Sequence, residues 1–249
     1  MKKIKISAVS YTNTLPFLQG IKASDDVMRQ IELSVDVPSA CARRLINNEV
    51  DLGIVPVAAL SRIPNYHIIT DYCIGSDGAV DSVFIFSNKP ISEIKSIRLD
   101  TESRTSNGLA RILLTHYWKM NVEVTMAGEA DAYVLIGDRT FGKKQDIPYV
   151  YDLGEIWKEF TGLPFAYAVW VANKDLPDYF IKSFNDALAD GVSHPEDVIV
   201  GLPPIKNFDY HYYLTKNLDF NLDSRKRLAI DKYLALYSTL EVIDFDNKI

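Results

Sequence analysis

The feature that most constrains this chain is a rhythm of short apolar runs, each followed by a polar loop and a helical stretch, which plays through once and then begins again. Residues 4–9, Ile-Lys-Ile-Ser-Ala-Val, alternate as a half-buried strand does. They end at Ser10-Tyr11-Thr12-Asn13-Thr14-Leu15-Pro16, a polar loop that leads into a helix through about Gly20. Residues 31–37 form a second alternating strand. Pro38-Ser39 then opens a helix with Cys41, Ala42, Leu45 and Ile46 on one face, and residues 51–57 read as a more buried strand. This order belongs to a mainly parallel sheet with helices on its faces. A β-rich run at 81–87 interrupts it, and the rhythm restarts. A strand at 97–99 precedes a helix from Ser103 carrying Leu109, Ile112, Leu113 and Tyr117, with strands following at 122–124 and 132–136. After Thr161-Gly162-Leu163-Pro164-Phe165 comes the apolar run 166–172. From Pro177 the pattern is helical, with short loops expected at Gly191 and at 201–204.

Two α/β units with two β-rich runs between them imply two lobes. The expected division is 1–86 with 173–249 in one lobe and 87–172 in the other. Two crossing strands near 83–88 and 166–172 would join them, and the C-terminal helices would return to the first lobe. A length of 249 residues suffices for this, and 47% hydrophobic with 24% charged residues is a globular composition. With 27 basic and 33 acidic residues the net charge is −6, which argues against nucleic acid as a partner. No apolar run approaches the ~18 residues of a membrane span, so no membrane partner is expected. The opening residues lack the apolar core and cleavage site of a secretory leader, which gives a cytoplasmic expectation. Cys41 and Cys73 belong to no CxxC pair and read as two buried thiols. His67, His116, His194 and His211 stand in separate contexts without metal-ligand spacing, and neither a GxSxG nor a GxGxxG motif is present. The expectation is neither a metal nor an organic cofactor.

Several motifs remain. Ser10-Tyr11-Thr12-Asn13 sits at the carboxyl end of a strand, where open α/β sheets bind ligands, although each polar residue also suits a helix cap. Ser103-Arg104-Thr105-Ser106 puts hydroxyls and backbone amides at a helix N-terminus, an arrangement that favours a carboxylate, and Arg104 has the fork to add a bidentate contact. A plain N-cap with a solvated arginine accounts for the same residues. Gly137 lets a ligand or a neighbouring backbone come close, and Asp138 suits either orienting a neighbouring group or capping the next turn. Thr161-Gly162-Leu163-Pro164 suits a hinge beside an apolar cleft wall, or simply a turn. Tyr210, Tyr212 and Tyr213 read as helix packing. The residues alone lead to a two-lobed α/β protein that binds a small anion.

The blocks Ser10–Pro16, Asp51–Val57, Gly78–Val83, Ser103–Ser106, Ile136–Asp138, Tyr151–Gly154 and Thr161–Trp170, with Trp157, occur in this order across most of residues 4–172. In this the chain resembles the chorismate dehydratases of the futalosine route to menaquinone. The resemblance implies an α/β, two-lobed fold of the periplasmic-binding-protein type II kind, with the ligand cleft between the lobes. It implies conversion of chorismate to 3-[(1-carboxyvinyl)oxy]benzoate and water without a cofactor. Chorismate would be the partner, and the protein a monomer or weak homo-oligomer. By the same resemblance Asn13 and Ser82 carry the chemistry, and Ser103, Arg104, Thr105 and Ser106 grip a carboxylate. Ser10, Tyr11, Pro56, Gly137, Asp138, Thr161, Gly162, Leu163 and Pro164 would complete the substrate site. Glu102 stands where the resemblance would place an aspartate. Three rival readings share the fold or the pathway. They are a solute-binding protein for a small carboxylate, the sister enzyme that makes 1,4-dihydroxy-6-naphthoate, and a ligand-sensing domain of a transcription regulator.

Overall fold

The computed structural model describes residues 3–241. The first sheet contains β1 (Ile4–Val9), β2 (Ile31–Asp36), β3 (Leu52–Pro56), β4 (His67–Ser76) and, far along the chain, β10 (Phe165–Ala172), in the order β2-β1-β3-β10-β4. The second contains β5 (Val83–Ser87), β6 (Ser96–Arg98), β7 (Glu123–Thr125), β8 (Ala132–Ile136) and β9 (Tyr149–Asp152), in the order β7-β6-β8-β5-β9. The helices are α1 (Leu15–Ala23), α2 (Asp25–Gln30), α3 (Pro38–Ile46), α4 (Arg104–Ile112), α5 (Leu153–Thr161), α6 (Asp178–Ser193), the short α7 (Glu196–Ile199) and α8 (Tyr210–Tyr212), and α9 (Ser224–Tyr237).

The two sheets repeat one plan. In the first, β1 is parallel to β2 and β3, while β10 runs against β3 and β4. In the second, β6 is parallel to β7 and β8, while β5 runs against β8 and β9. The reversed strand has a topological cause. Strands joined by helical crossovers all point their carboxyl ends to one edge. β5 arrives from the first sheet and β10 from the second, so each enters at that edge and runs away from it. Both are central strands covered on two faces, which is why Val83–Ser87 is buried throughout and the alternation of an exposed sheet is absent.

The expected crossing strands are therefore not crossing strands. Residues 83–87 lie wholly in the second sheet and 165–172 wholly in the first, and the chain passes between sheets at 77–82 and 162–164. Gly191 is likewise not a loop but an interior residue of α6. There it meets Gly20 of α1. A Cβ on Gly191 would overlap the Pro16 carbonyl and stand 2.8 Å from the Gly20 nitrogen, so only glycines let these two backbones touch.

The tail does not simply rejoin the first sheet. α6 packs on α1 and β4, and residues 219–222 hydrogen-bond along the edge of β4 (Cys73 N to Phe220 O and Asp219 N to Gly75 O, both 2.8 Å). α9, however, lies across β10 and α4, and the Tyr233 hydroxyl donates to the Thr105 carbonyl at 3.0 Å. One helix thus touches the machinery of both sheets. In the first core Trp170 meets Phe17 and Phe184 edge-on, with centroids 6.0 and 5.1 Å apart. Cys41 and Cys73 are buried, which pushes both thiols up to about 12 and keeps them unreactive. Among the described residues no helix is long and apolar enough to cross a membrane.

Candidate functional site

The edges at which the parallel strands end face one another across a cleft of about 600 Å³, counting its mouth. Val9, Ile54, Ile74, Val83 and Ile136 give it apolar walls, and Asn13, Ser82, Ser103, Thr105 and Ser106 bring polar groups into it. Among the described residues that line it, none carries a charge.

The loop after β1 is bound to the second sheet at two points. The Thr12 amide and hydroxyl both donate to the Asp138 carboxylate, at 3.1 and 2.9 Å. The Tyr11 hydroxyl donates to Glu102, which lies 3.3 Å from Arg139; Arg139 in turn reaches both oxygens of Asp100 at 2.8 Å. Glu102, the departure from the expected aspartate, thus receives the loop's tyrosine. Burial raises the Asp138 carboxyl above its ordinary value, opposed by the two bonds from Thr12. The Tyr11 phenol is raised by burial and by its bond to Glu102. Between these anchors the Thr14 hydroxyl donates to Asn13 Oδ1 at 3.0 Å. That bond occupies the acceptor end of the side chain and leaves the amide hydrogens to face outward.

Ser82 ends the 77–82 crossing. The residue before it, Asp81, is left-handed at φ 57° and is held there by an ion pair with Lys144 and by its amide donating to Asp152 at 2.7 Å. Asp152 also accepts from Val80 N at 3.1 Å, and it caps α5 through Gly154 N at 2.9 Å and Glu155 N at 3.2 Å. Burial nonetheless dominates and lifts its carboxyl to about 6. The Ser82 carbonyl accepts from Gly137 N at 2.8 Å, and its Oγ accepts from the Tyr213 hydroxyl at 2.9 Å.

The third group is the start of α4. Ser103 caps the helix by accepting from Ser106 N at 3.1 Å and donates to the Ser106 hydroxyl at 2.9 Å, leaving the Ser106 proton to the cleft. Thr105 Oγ1 accepts from Ala58 N at 3.1 Å, a further tie between the sheets. The first-turn amides have no acceptor within the helix and carry the positive end of its dipole. Asn107 fixes this turn, since its side chain exchanges bonds of 2.9 and 2.7 Å with the Asp100 backbone.

The structure thus brings together Tyr11, Asn13, Pro56, Ser82, Ser103, Thr105, Ser106 and Gly137 around one space. Gly137 has φ 63°, a left-handed backbone that calls for glycine, and the Tyr11 ring packs over it, 3.6 Å from where a Cβ would be. Asp138 acts one step back, through Thr12. Ser10 is exposed and Arg104 half-exposed, and neither lines the cleft. Thr161, Gly162, Leu163 and Pro164 do not line it either. The Gly162 amide closes α5 onto Lys158 O at 2.8 Å, Thr161 Oγ1 accepts from Leu163 N at 3.1 Å, and the Pro164 carbonyl accepts from Trp157 Nε1 at 3.1 Å. They are a turn, and Tyr167 and Ala168 beyond it form the wall. Two tyrosines go unmarked in the sequence. Tyr167 stands in an apolar strand, and Tyr213 appears only as one of several aromatics near the C-terminus.

The comparisons with known proteins agree with this geometry. A family model described as menaquinone biosynthesis matches residues 4–239. A chorismate dehydratase of Thermus thermophilus is 25% identical over 213 residues, 70% of this chain and 79% of the relative. One of Campylobacter jejuni is 23% identical over 243 residues, 94% of this chain and 97% of the relative. A Candida albicans protein described as having the generic periplasmic binding protein fold superposes with a TM-score of 0.66 at 14% identity, covering 98% of this chain and 92% of that one. The fold is thereby that of the periplasmic binding proteins, and because the menaquinone model runs through both sheets and into α9, the chain belongs to the menaquinone biosynthesis family.

Proposed function

We propose that this protein removes water from chorismate to give 3-[(1-carboxyvinyl)oxy]benzoate. The observation that carries the reading is the character of the cleft. Uncharged donors from both sheets surround apolar walls, which suits a flat ring bearing two carboxylates. The family and the names of the two relatives point the same way.

The chemistry asks little else of the protein. The hydrogen on ring C3 is vinylogous to the ring carboxylate, so its removal leaves a delocalised dienolate. The C4–O bond then breaks, a C3–C4 double bond forms, and the ring becomes aromatic. The departing hydroxide takes up the proton and leaves as water. Among the described residues no histidine or carboxylate lines the cleft to act as base, and the substrate's own side-chain carboxylate is assigned that task. In this reading the α4 N-terminus with Ser103 and Ser106 holds one carboxylate. The Asn13 amide and Ser82 hydroxyl donate to the oxygen on which charge develops. Fixed donors set between apolar walls need no rearrangement as the charge moves.

The test is direct. Purified protein incubated with chorismate should yield the aromatic ether by mass spectrometry. Asn13→Ala and Ser82→Ala should each lower kcat by about a hundred- to a thousandfold while weakening chorismate binding far less. A protein that binds chorismate and never turns it over is instead a solute-binding protein. Turnover only of a later intermediate, to 1,4-dihydroxy-6-naphthoate, assigns the sister activity.

A further inference from the structure

We propose that Tyr213 is a positioning residue for the dehydration, holding Ser82 with its hydrogen turned into the cleft. The inference rests on the function proposed above and adds to it a residue outside the cleft lining. Tyr213 is buried, 131 residues from Ser82 in sequence, and it opens a π-helical turn, Tyr213–Asn217. Such turns are rare and occur frequently at functional sites. Its ring is wedged against Phe141, at the end of the turn after β8, and Phe208, with centroids 5.2 and 5.4 Å away, so the hydroxyl has little freedom to swing.

The hydrogen bond given to Ser82 orients that residue's own proton. The Tyr213 hydroxyl has one hydrogen, and it lies on the line to Ser82 Oγ, 2.9 Å away. Ser82 cannot return a proton along the same line, so its own hydrogen must point elsewhere, and Ser82 lines the cleft. Asn13 lines the same cleft, and with its carbonyl oxygen satisfied by Thr14 it has its amide hydrogens to present to a ligand. Burial raises the phenol above the ordinary tyrosine value, so it stays protonated, as a donor must, throughout the working pH range. A serine hydroxyl without such a partner rotates among three staggered positions. Tyr213 removes that choice before the substrate arrives.

The experiment is a double-mutant cycle on kcat with parallel chorismate titrations. Tyr213→Phe keeps the wedged ring and deletes the hydroxyl. It should lower kcat about tenfold or more and change the chorismate Kd less than about threefold. In a Ser82→Ala background the same change should cost less than about twofold, because its target is gone. Phe184→Leu loosens the core of the first sheet around Trp170, away from Tyr213, and should lower Tm while leaving kcat near wild type. An unchanged kcat for Tyr213→Phe overturns the assignment. So does a full loss that persists without Ser82, or an equal loss in Phe184→Leu. Should Tyr213→Phe not fold, 3,5-difluorotyrosine at 213 keeps ring and bond but strengthens the donor. It should shift kcat by about threefold or more at constant Kd, and an identical kcat again overturns the role. If wild-type protein forms no aromatic ether, the proposed dehydration fails; product from wild type with an unaffected Tyr213→Phe removes only Tyr213.

Discussion

Asp152→Asn puts the joint between the sheets under a quantitative test. The carboxylate gathers four backbone N–H groups, from Val80, Asp81, Gly154 and Glu155, and so pins the crossing that delivers Ser82 to the first turn of α5. Three of these bonds go to Oδ1, which asparagine preserves. The fourth, Asp81 N to Oδ2 at 2.7 Å, would meet an NH₂ group, donor against donor. Losing that charge-assisted bond and stranding a half-buried donor costs about 1.5–3 kcal/mol. Against this, asparagine carries no charge to desolvate, and the desolvation depends on pH. The folded carboxyl titrates at about 6 against an ordinary 3.8, so between these values the folded state binds the proton more tightly. Its contribution to stability is fully present below about 3.8 and is lost as pH rises through about 6. Between pH 4.5 and pH 7 the loss is about 2 kcal/mol. Asparagine has no such slope. Urea unfolding of both proteins at the two pH values isolates the residue, because every other titrating group is common to both. The variant should fall below wild type by about 2 kcal/mol more at pH 4.5 than at pH 7. A gap that is the same at both pH values would refute a burial-dominated carboxyl at this joint.

Two further outcomes follow from the packing. Gly191→Ala forces a methyl into the Pro16 carbonyl and should lower stability by about 2–3 kcal/mol, read as a drop in Tm; an unchanged Tm would mean that α1 and α6 do not touch as described. Arg104→Ala removes a side chain that does not line the cleft and keeps the α4 amides in place, so kcat/KM for chorismate should stay within about threefold; a loss of about tenfold or more would restore the direct carboxylate contact that its sequence position suggests.

What the sequence determined is whatever depends on local chemistry. Strands such as 4–9, 31–36 and 132–136 declare themselves by apolar periodicity, and α4 by a serine cap before an amphipathic run, because these signals act over a few residues. The loop after β1 was legible as a ligand position because open α/β sheets bind at strand ends, and Gly137 after β8 because glycine lets a ligand approach, whereas Pro56 at the end of β3 entered only with the resemblance. The ordered motif blocks carried the family. β4 escaped detection although it is ten residues long, because His67, Thr70 and Asp71 break its apolar pattern. Tertiary structure alone decided the rest. Which sheet β5 and β10 join depends on where the chain re-enters, and no strand encodes that in its own residues. Thr161–Pro164 matched a site motif and became a turn, while Arg104 lies outside the cleft it flanks in sequence. Tyr213 reaches Ser82 only through a π-helical turn packed against Phe141 and Phe208. A hydrogen bond is fixed by distance and angle, and between residues 131 positions apart only the folded chain supplies both.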